Sequence, residues 1–216
     1  MQTYSEANYR DMDKHIIFNI GRQYGSGGKA VADEIGRKLG IKVYDNELLH
    51  MAAEKSGFSE SLFNHRDEKR RLWKISNIFG ANRYGYGSSS SGLNDGEIFM
   101  MMSDLIRDIA QNESAIFVGR ASNYVLRDMD CCLDVFITAP LEYRKKKVSE
   151  KEGISLEEAE AFIEKRDRHR AEYYNFFTLG HWGKAVEYDL CMDASILGPE
   201  KTADFIINFA REQGLL

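Results

Sequence analysis

The sequence predicts an α/β fold built on a five-stranded parallel sheet. Short apolar segments rich in β-forming residues alternate along the chain with segments whose apolar residues recur at helical spacing. This alternation is typical of parallel sheets with helical crossovers. A glycine-rich stretch, GRQYGSGGKA at 21–30, separates the first strand from the first helix. The length of 216 residues fits one domain, or one core domain that carries insertions.

The predicted elements follow one another with few interruptions. Strands are expected at 15–20, 41–44, 115–119, 131–138 and 188–193. Helices are expected directly after the glycine loop and at 47–57, 97–113 and 199–212. Gly40 and Gly153 fit the position that ends a helix, and Pro140 fits the first turn of one. Ser155 and Glu158 have the spacing of a capping box at the start of another helix.

Composition restricts the class of function. Apolar residues make up 43% of the chain, which is enough for a core, and the formal net charge is −5. This charge gives no basic field for nucleic acid or an anionic membrane, and no apolar run has the length of a membrane span. The three cysteines, Cys131, Cys132 and Cys191, form no disulfide framework, so we expect buried, reduced thiols in a cytoplasmic protein.

Two segments depart from the regular pattern. Residues 1–14 are polar and carry both charge signs, so we expect a flexible leader. Residues 58–96 begin as a charged helix and continue into a stretch at 81–96 that is rich in Gly and Ser. This stretch is interpreted as a surface loop. The alternative is a mobile flap that contacts a substrate through Arg83, Tyr84 and Tyr86.

The glycine-rich stretch has the context of a phosphate-binding loop, because a strand precedes it and a helix follows it. Backbone N–H groups and the helix N-terminus attract anions there. Two registers against the pattern G-x-x-x-x-G-K-[ST] stay open, with either Lys29 or Gly28 in the lysine slot. The first register puts Gln23 in a glycine slot. The alternative to phosphate binding is a turn that binds nothing. The residues expected to contact phosphate are Gly25, Ser26, Gly27, Gly28, Lys29 and Ala30.

Charged side chains are expected at the edge of the sheet where the parallel strands end, which is where ligands bind in such folds. Asp45 follows the second strand, and Arg120 follows the third strand and its terminal Gly119. Arg120 is interpreted either as a solvated strand-end residue or as a donor to a phosphate or carboxylate group. Neither a metal-binding spacing of histidines nor a nucleophilic serine turn is present in the sequence.

The densest cationic stretch lies at 165–170. Arg166 and Arg170 lie one helical turn apart on the same face, and Asp167 can hold an arginine through an ion pair. The stretch is interpreted as a helix that clamps phosphate, and the alternative is a solvated charged helix.

These segments together resemble the cytidylate-kinase-like proteins of the nucleoside monophosphate kinase group. GSGGKAVADEIGRKLGIKVYD at 25–45 resembles the first helix and second strand of that family, and AIFVGR at 115–120 resembles its third strand. RDRHR at 166–170 resembles the R-D-x-x-R element of its lid. HWG at 181–183, with YDLCMDAS at 188–195, resembles a divergent branch of the family.

The resemblance implies a three-layer α/β/α P-loop kinase fold in a single domain at 15–216. Residues 58–96 would then be an insertion of the monophosphate-binding type, and residues at about 154–183 would form a helical lid. The implied reaction is transfer of the γ-phosphoryl group of ATP to a nucleoside monophosphate, with CMP or dCMP as the first choice. The alternatives are a P-loop kinase with another acceptor and a nucleotide-binding protein with little catalytic activity.

The resemblance also implies roles for individual residues. Lys29, Arg166 and Arg170 would be the catalytic cations, and the glycine loop would bind the ATP phosphates. Mg²⁺ would bridge ATP oxygens, with Ser26 as the nearest hydroxyl. Small-molecule nucleotides are the expected partners, without nucleic acid or membrane, and the choice between monomer and homo-oligomer stays open. The expected acceptor-binding residues are Asp45, Arg120, Asp167 and Arg168.

Overall fold

A computed structural model describes residues 15–55 and 95–216 of the chain, except the side chain at position 53. The expected leader at 1–14 lies outside the described residues. So does the segment 58–94, which includes Arg83, Tyr84 and Tyr86, and the helix end expected at Gly57.

The described part of the chain contains the five-stranded parallel sheet that the sequence predicts. Its order is β2–β3–β1–β4–β5, so the first strand lies at the centre. Every neighbouring pair of strands runs parallel, and all carboxyl ends therefore meet at one edge. The strands are β1 (Ile17–Arg22), β2 (Lys42–Tyr44), β3 (Ala115–Val118), β4 (Cys132–Thr138) and β5 (Leu190–Asp193).

Strands β1 and β5 differ most from their expected bounds, by two residues each at one end or both. Strand β1 continues through Gly21 and Arg22, which pair with Phe136 and Ile137 of β4. The glycine loop is thereby shortened to the five residues before Gly28. Strand β5 begins at Leu190 because the preceding residues form a 3₁₀ helix, Ala185–Glu187, and its C-cap.

The thiols are less buried than the sequence suggested. All three cysteines are free, as expected, but Cys131 and Cys132 are only half-buried and Cys191 is exposed. Cys191 lies on β5, the edge strand of the sheet. An edge strand has one neighbouring strand instead of two, which is consistent with the exposure of Cys191.

The helices are α1 (Gly28–Leu39), α2 (Glu47–Lys55), α3 (Asp95–Asn112), α4 (Ser122–Val125), α5 (Leu141–Glu152), α6 (Leu156–Thr178) and α7 (Ala194–Glu212). Gly40 and Gly153 adopt left-handed conformations at the ends of α1 and α5, and Ser155 forms its capping box with Glu158. Pro140 is the N-cap of α5 instead of lying in its first turn. Within the described ranges, no helix combines the length and apolar character that crossing a membrane would require.

The helices cover both faces of the sheet, which gives the three-layer architecture. Val31 and Ile35 of α1 pack with α7 on one face, and Leu48 of α2 packs with α3 on the other. Helices α5 and α6 form a smaller cluster of their own around Val148 and Ile163. Tyr24 of the glycine loop packs against this third cluster, so α6 is attached to the loop and lies beside the strand ends.

Helix α7 begins before the expected position at Pro199. The Asp193 carboxylate accepts a hydrogen bond of 2.8 Å from the backbone N–H of Ser195 and caps the helix there. Gly198 has a φ of 73° and a ψ of 168°, which kinks the element just before Pro199. The proline that predicts a helix start therefore marks the second part of a bent helix.

Candidate functional site

The glycine loop is a compact turn between β1 and α1. Gly25 and Gly27 have φ values of 78° and 87°, a region that residues with a Cβ atom rarely occupy. Gly27 is the N-cap of α1, so the partial positive charge of the helix end lies next to the loop. The loop thus has the backbone geometry and local electrostatics that favour an anion.

A cavity of about 860 Å³ opens over this loop. Gly25, Gly27, Gly28, Lys29 and Ala30 line it, which are five of the six residues predicted to contact phosphate. We call this space the loop cavity. Tyr143 and Lys147 of α5 and Pro199 of α7 also line it.

A second cavity, of about 160 Å³, lies over the ends of β1 and β3. We call it the strand-end cavity. Asn19 and Arg120 line its floor, and an aromatic wall closes one side. The ring of Phe136 supports that wall, with centroids 5.3 Å from Trp182 and 4.9 Å from Tyr188.

The two cavities adjoin each other, and three arginines line both of them. These are Arg22, at the end of β1, and Arg166 and Arg170 of α6. Guanidinium groups bind phosphate oxygens through several N–H donors at once. A site where two spaces meet at three guanidinium groups is suited to holding two phosphorylated molecules next to each other.

Arg22 lies at the middle of this arrangement. Its side chain is 18% exposed, and its Nη2 lies 3.2 Å from Oδ1 of Asp45. Burial, together with the nearby positive charges of Arg170 and Arg120, lowers the pKa of Arg22 to about 9, although Asp45 acts to raise it. The guanidinium stays charged at neutral pH, and an incoming anion would relieve the repulsion among the cations.

Arg120 follows β3 in a strained stretch of backbone. Arg120 and Ala121 have φ values of 64° and 54°, which non-glycine residues adopt at an energetic cost. Arg120 Nη2 donates to Oδ1 of Asn46 at 3.3 Å, and burial lowers the pKa of Arg120. The predicted convergence of the ends of β1, β2 and β3 is therefore present, with Arg22, Asp45 and Arg120 gathered there.

Helix α6 is bonded directly to the glycine loop. Arg170 Nη1 donates to the carbonyl oxygen of Arg22 at 2.9 Å. The backbone N–H of Tyr24 donates to Oδ1 of Asp167 at 2.7 Å. Arg144 of α5 donates from Nη1 to Oδ2 of Asp167, also at 2.7 Å. Asp167 holds an arginine, as the sequence suggested, and also ties three parts of the chain together.

The arginines of α6 lie against aromatic rings of the same region. The guanidinium carbon of Arg166 is 4.9 Å from the Phe162 centroid, and that of Arg170 is 5.3 Å from the Tyr24 centroid. Such cation–π contacts hold a guanidinium in place without using its N–H donors. Burial lowers the pKa of Arg170, as does the nearby charge of Arg166, while Asp167 raises it.

The structure does not bring every predicted residue into the site. Arg168 is exposed and does not line either cavity, because two residues along a helix turn a side chain away from the face of Arg166 and Arg170. Lys29 lines the loop cavity but not the strand-end cavity. Its side chain is 49% exposed and its Nζ is bonded to Asp33.

Ser26 is also turned away. The residue is 1% exposed and its hydroxyl donates to the carbonyl oxygen of Gln23 at 2.9 Å, inside the loop. Asp45, which directly follows β2, is paired with Arg22. Within the described ranges, no cluster of three or more His, Cys, Asp or Glu side chains could hold a metal ion. These residues do not fit a dedicated protein-bound Mg²⁺ site.

The sequence of this chain matches a family model over most of its length. The model describes the cytidylate kinase-like family, and the match spans residues 17–196. The chain belongs to the cytidylate kinase-like family.

Two curated relatives of this family member show how distant the similarity is. The cytidylate kinase of Thermococcus kodakarensis is 30% identical over 94 residues, which are 43% of this chain and 47% of the relative. This chain therefore spans about half the length of the first such relatives. The cytidylate kinase of Methanopyrus kandleri is 23% identical over 196 residues, covering 87% of this chain and 89% of the relative.

Solved structures identify the fold as that of P-loop kinases. A shikimate kinase from Bacteroides thetaiotaomicron superposes with a TM-score of 0.51, covers 93% of this chain and 99% of its own, and is 13% identical. An uncharacterized protein from Eubacterium ventriosum superposes with a TM-score of 0.67 and 25% identity, over 90% of this chain and 98% of its own. At this identity the likeness to the shikimate kinase concerns the fold alone.

Sequence reasoning missed three contributors to the site. Arg22 lies inside the glycine-rich stretch, and its charge directly after Gly21 was the available signal. Arg144 was seen only as one of several cations on α5, although it is 8% exposed. Trp182 and Tyr188 of the aromatic wall lie in the segments 181–183 and 188–195, which contributed to the family resemblance but were given no role in the site.

Proposed function

We propose that this member of the cytidylate kinase-like family transfers the γ-phosphoryl group of ATP to a nucleoside monophosphate, with CMP or dCMP as the acceptor. The observation that carries the proposal is the pair of adjoining cavities with Arg22, Arg166 and Arg170 on both. ATP would occupy the loop cavity, where its phosphates meet the glycine loop and the N-terminus of α1. The acceptor would place its phosphate in the strand-end cavity, next to Arg120.

The reaction is an in-line displacement at phosphorus. An oxygen of the acceptor's α-phosphate forms a bond to the γ-phosphorus, and the bond from that phosphorus to the β,γ-bridging oxygen breaks. The bridging oxygen leaves with the electron pair as part of ADP. Because the attacking oxygen belongs to an ionised phosphate, no base has to remove a proton. The protein's work is to position two anions and stabilise the charge between them.

The residues divide this work by location. Lys29 and the loop amides would bind the donor phosphates, and Arg120 would hold the acceptor phosphate. Arg166 and Arg170, between the two cavities, would contact the transferring group. Asp45 would orient cations at the acceptor side through its pair with Arg22. Asp167 would position α6 on the loop instead of touching the acceptor, since both of its carboxylate oxygens already accept hydrogen bonds.

Helix α6 would act as part of a lid that extends over about 154–183. Its bonds to the loop run through side chains, namely Asp167 and Arg170, so the contact can open without unfolding either element. Closure over both substrates would exclude water from the phosphoryl group and limit hydrolysis of ATP. Magnesium would enter as part of the MgATP substrate, held by phosphate oxygens.

A second candidate is a P-loop kinase with another acceptor. The observation that favours it is the size of the strand-end cavity, about 160 Å³, which suits a compact phosphorylated or hydroxylated molecule.

The test is acceptor-dependent formation of ADP. The protein is incubated with MgATP and a panel of nucleoside monophosphates, shikimate and gluconate, and ADP is measured against a reaction without acceptor. ADP formation with CMP or dCMP above the other acceptors is the expected result. Activity with a non-nucleotide acceptor alone would contradict CMP or dCMP as the acceptor and support the second candidate. ATP binding without any acceptor-dependent ADP would indicate a nucleotide-binding protein with little catalytic activity.

A further inference from the structure

The glycine loop carries two linked departures from the pattern G-x-x-x-x-G-K. When Gly27 is taken as the second glycine, the lysine slot holds Gly28 and the first glycine slot holds Arg22. Relative to the pattern, the lysine slot therefore lacks a cation and the first glycine slot carries one. In P-loop enzymes the lysine in that slot reaches the β- and γ-phosphates. Gly28 has no side chain, so it cannot make this contact.

The two departures are coupled in space. A Cβ atom on Gly28 would lie 2.5 Å from Cβ of Arg22 and 3.2 Å from Cβ of Ile137. A contact of 2.5 Å is far inside the van der Waals distance. An arginine at 22 and a side chain at 28 therefore exclude each other, and the stem of Arg22 fills the space beside the slot.

The guanidinium of Arg22 is directed toward the junction of the two cavities. Gly119, at the end of β3, leaves room for it, because a Cβ atom on that glycine would lie 2.0 Å from Nη1 of Arg22. Arg22 lines both cavities, whereas Lys29 lines the loop cavity alone and is bonded to Asp33. Of the two cations in the motif, Arg22 is the one that lies between the donor and acceptor spaces.

We infer that Arg22 is a catalytic residue that contacts the transferring phosphoryl group and replaces the lysine of the P-loop. This inference rests on the proposed phosphoryl transfer and assigns its central cation. The competing interpretation is structural: Arg22 would only fasten the end of β1 to β2 through its ion pair with Asp45. The two interpretations differ in whether a cation supplied from another point can restore activity.

The first experiment compares Arg22→Ala with the wild type in the ADP assay. We expect kcat to fall by about 10²–10³-fold, the usual effect of removing a group that stabilises transition-state charge. Lys29→Ala should lower kcat by less than about tenfold, because that lysine reaches donor phosphates only. Arg37→Ala is the matched control, since Arg37 is an exposed arginine of α1 paired with Glu34. The thermal midpoint of each variant reports folding.

The second experiment moves the cation back to the lysine slot. Arg22→Gly should lose activity as Arg22→Ala does. Gly28→Lys alone should be inactive or unstable, because its side chain meets the stem of Arg22. The double variant Arg22→Gly, Gly28→Lys removes that contact and should regain at least about tenfold in kcat over Arg22→Gly, since the cation again reaches the phosphates. A purely structural pair with Asp45 would not be restored by a lysine on α1.

A chemical rescue covers the case in which the double variant does not fold. Guanidinium chloride at low millimolar concentration is added to Arg22→Ala, with equal sodium chloride as the control. A rise of at least about tenfold in kcat supports a direct role for the guanidinium. If neither restoration raises the rate, or if Arg22→Ala keeps kcat within about threefold of the wild type, the assignment of Arg22 is wrong. In either case an active wild type leaves the proposed function standing. A wild type that does not bind MgATP would overturn both.

Discussion

Replacing Arg144 with alanine should destabilise the fold through a single buried ion pair. Arg144 is 8% exposed. Its guanidinium donates to the carbonyl oxygens of Ala139 and Tyr24, at 3.0 and 3.3 Å, and to Asp167 at 2.7 Å. The substitution leaves the Asp167 carboxylate, whose side chain is 16% exposed, without its closest cation.

The size of this destabilisation depends on the partners that Asp167 keeps after the substitution. Removing one partner of a buried pair costs about 3–5 kcal/mol, because the other charge stays desolvated. Asp167 keeps the Tyr24 N–H and has Arg170 at 3.9 Å. We therefore expect the lower end of the range, about 3 kcal/mol, which corresponds to a fall of about 6–12 °C in thermal midpoint for a chain of this size.

The assay is a double-mutant cycle by urea unfolding, with Arg144→Ala, Asp167→Ala and the double variant. We expect the double variant to cost less than the sum of the single costs by at least about 1 kcal/mol. Arg107→Ala is the control, because its pair with Asp104 on α3 is exposed, and it should change stability by less than about 0.5 kcal/mol. Additive costs, or a loss below about 1 kcal/mol for Arg144→Ala, would refute the reasoning.

Gly25, Asp134 and the two arginines of α6 should each respond to substitution in a measurable way. Gly25→Ala should lower the free energy of unfolding, measured in urea, by about 2–4 kcal/mol, because φ is 78° and the new Cβ would lie 2.9 Å from Val148. The control Gly40→Ala, with φ 69° and open space around it, should cost about 1–2 kcal/mol. Equal costs for the two variants would contradict this prediction. Burial raises the pKa of Asp134 to about 6, so the folded state binds its proton more tightly and wild-type stability should fall relative to Asp134→Asn as pH rises from about 4 to about 6, by about 2 kcal/mol in all. A difference that stays flat across this window would show that the carboxyl is not perturbed. Arg166→Ala and Arg170→Ala should each lower kcat by about 10²-fold or more with thermal midpoints within a few degrees of wild type, and a large drop in midpoint with normal turnover would make them structural.

The arrangement of the sheet could be predicted because its signals are local. Each strand is a short apolar segment, and Gly40, Gly153 and the capping box at Ser155 mark helix ends by backbone conformation and hydrogen bonding that the residue type itself favours. The meeting of Asp45 and Arg120 at one edge followed from parallel strands alone.

The parts that could not be predicted depend on contacts between distant segments. Strand β1 extends through Arg22 because β4 offers partners at Phe136 and Ile137, which no local pattern encodes. The proposal of Arg22 rather than Lys29 as the central cation depends on where the two side chains reach, and spacing in the motif does not contain that information.

The three guanidinium groups at the junction also influence how the protein should be handled. Their mutual repulsion is highest when no anion lies among them, so occupancy by any multivalent anion should raise the melting temperature. Sulfate and phosphate buffers would then stabilise a stored sample and, at the same time, compete with nucleotides in a titration. Affinities measured in such buffers would come out weaker than those measured in chloride at equal ionic strength.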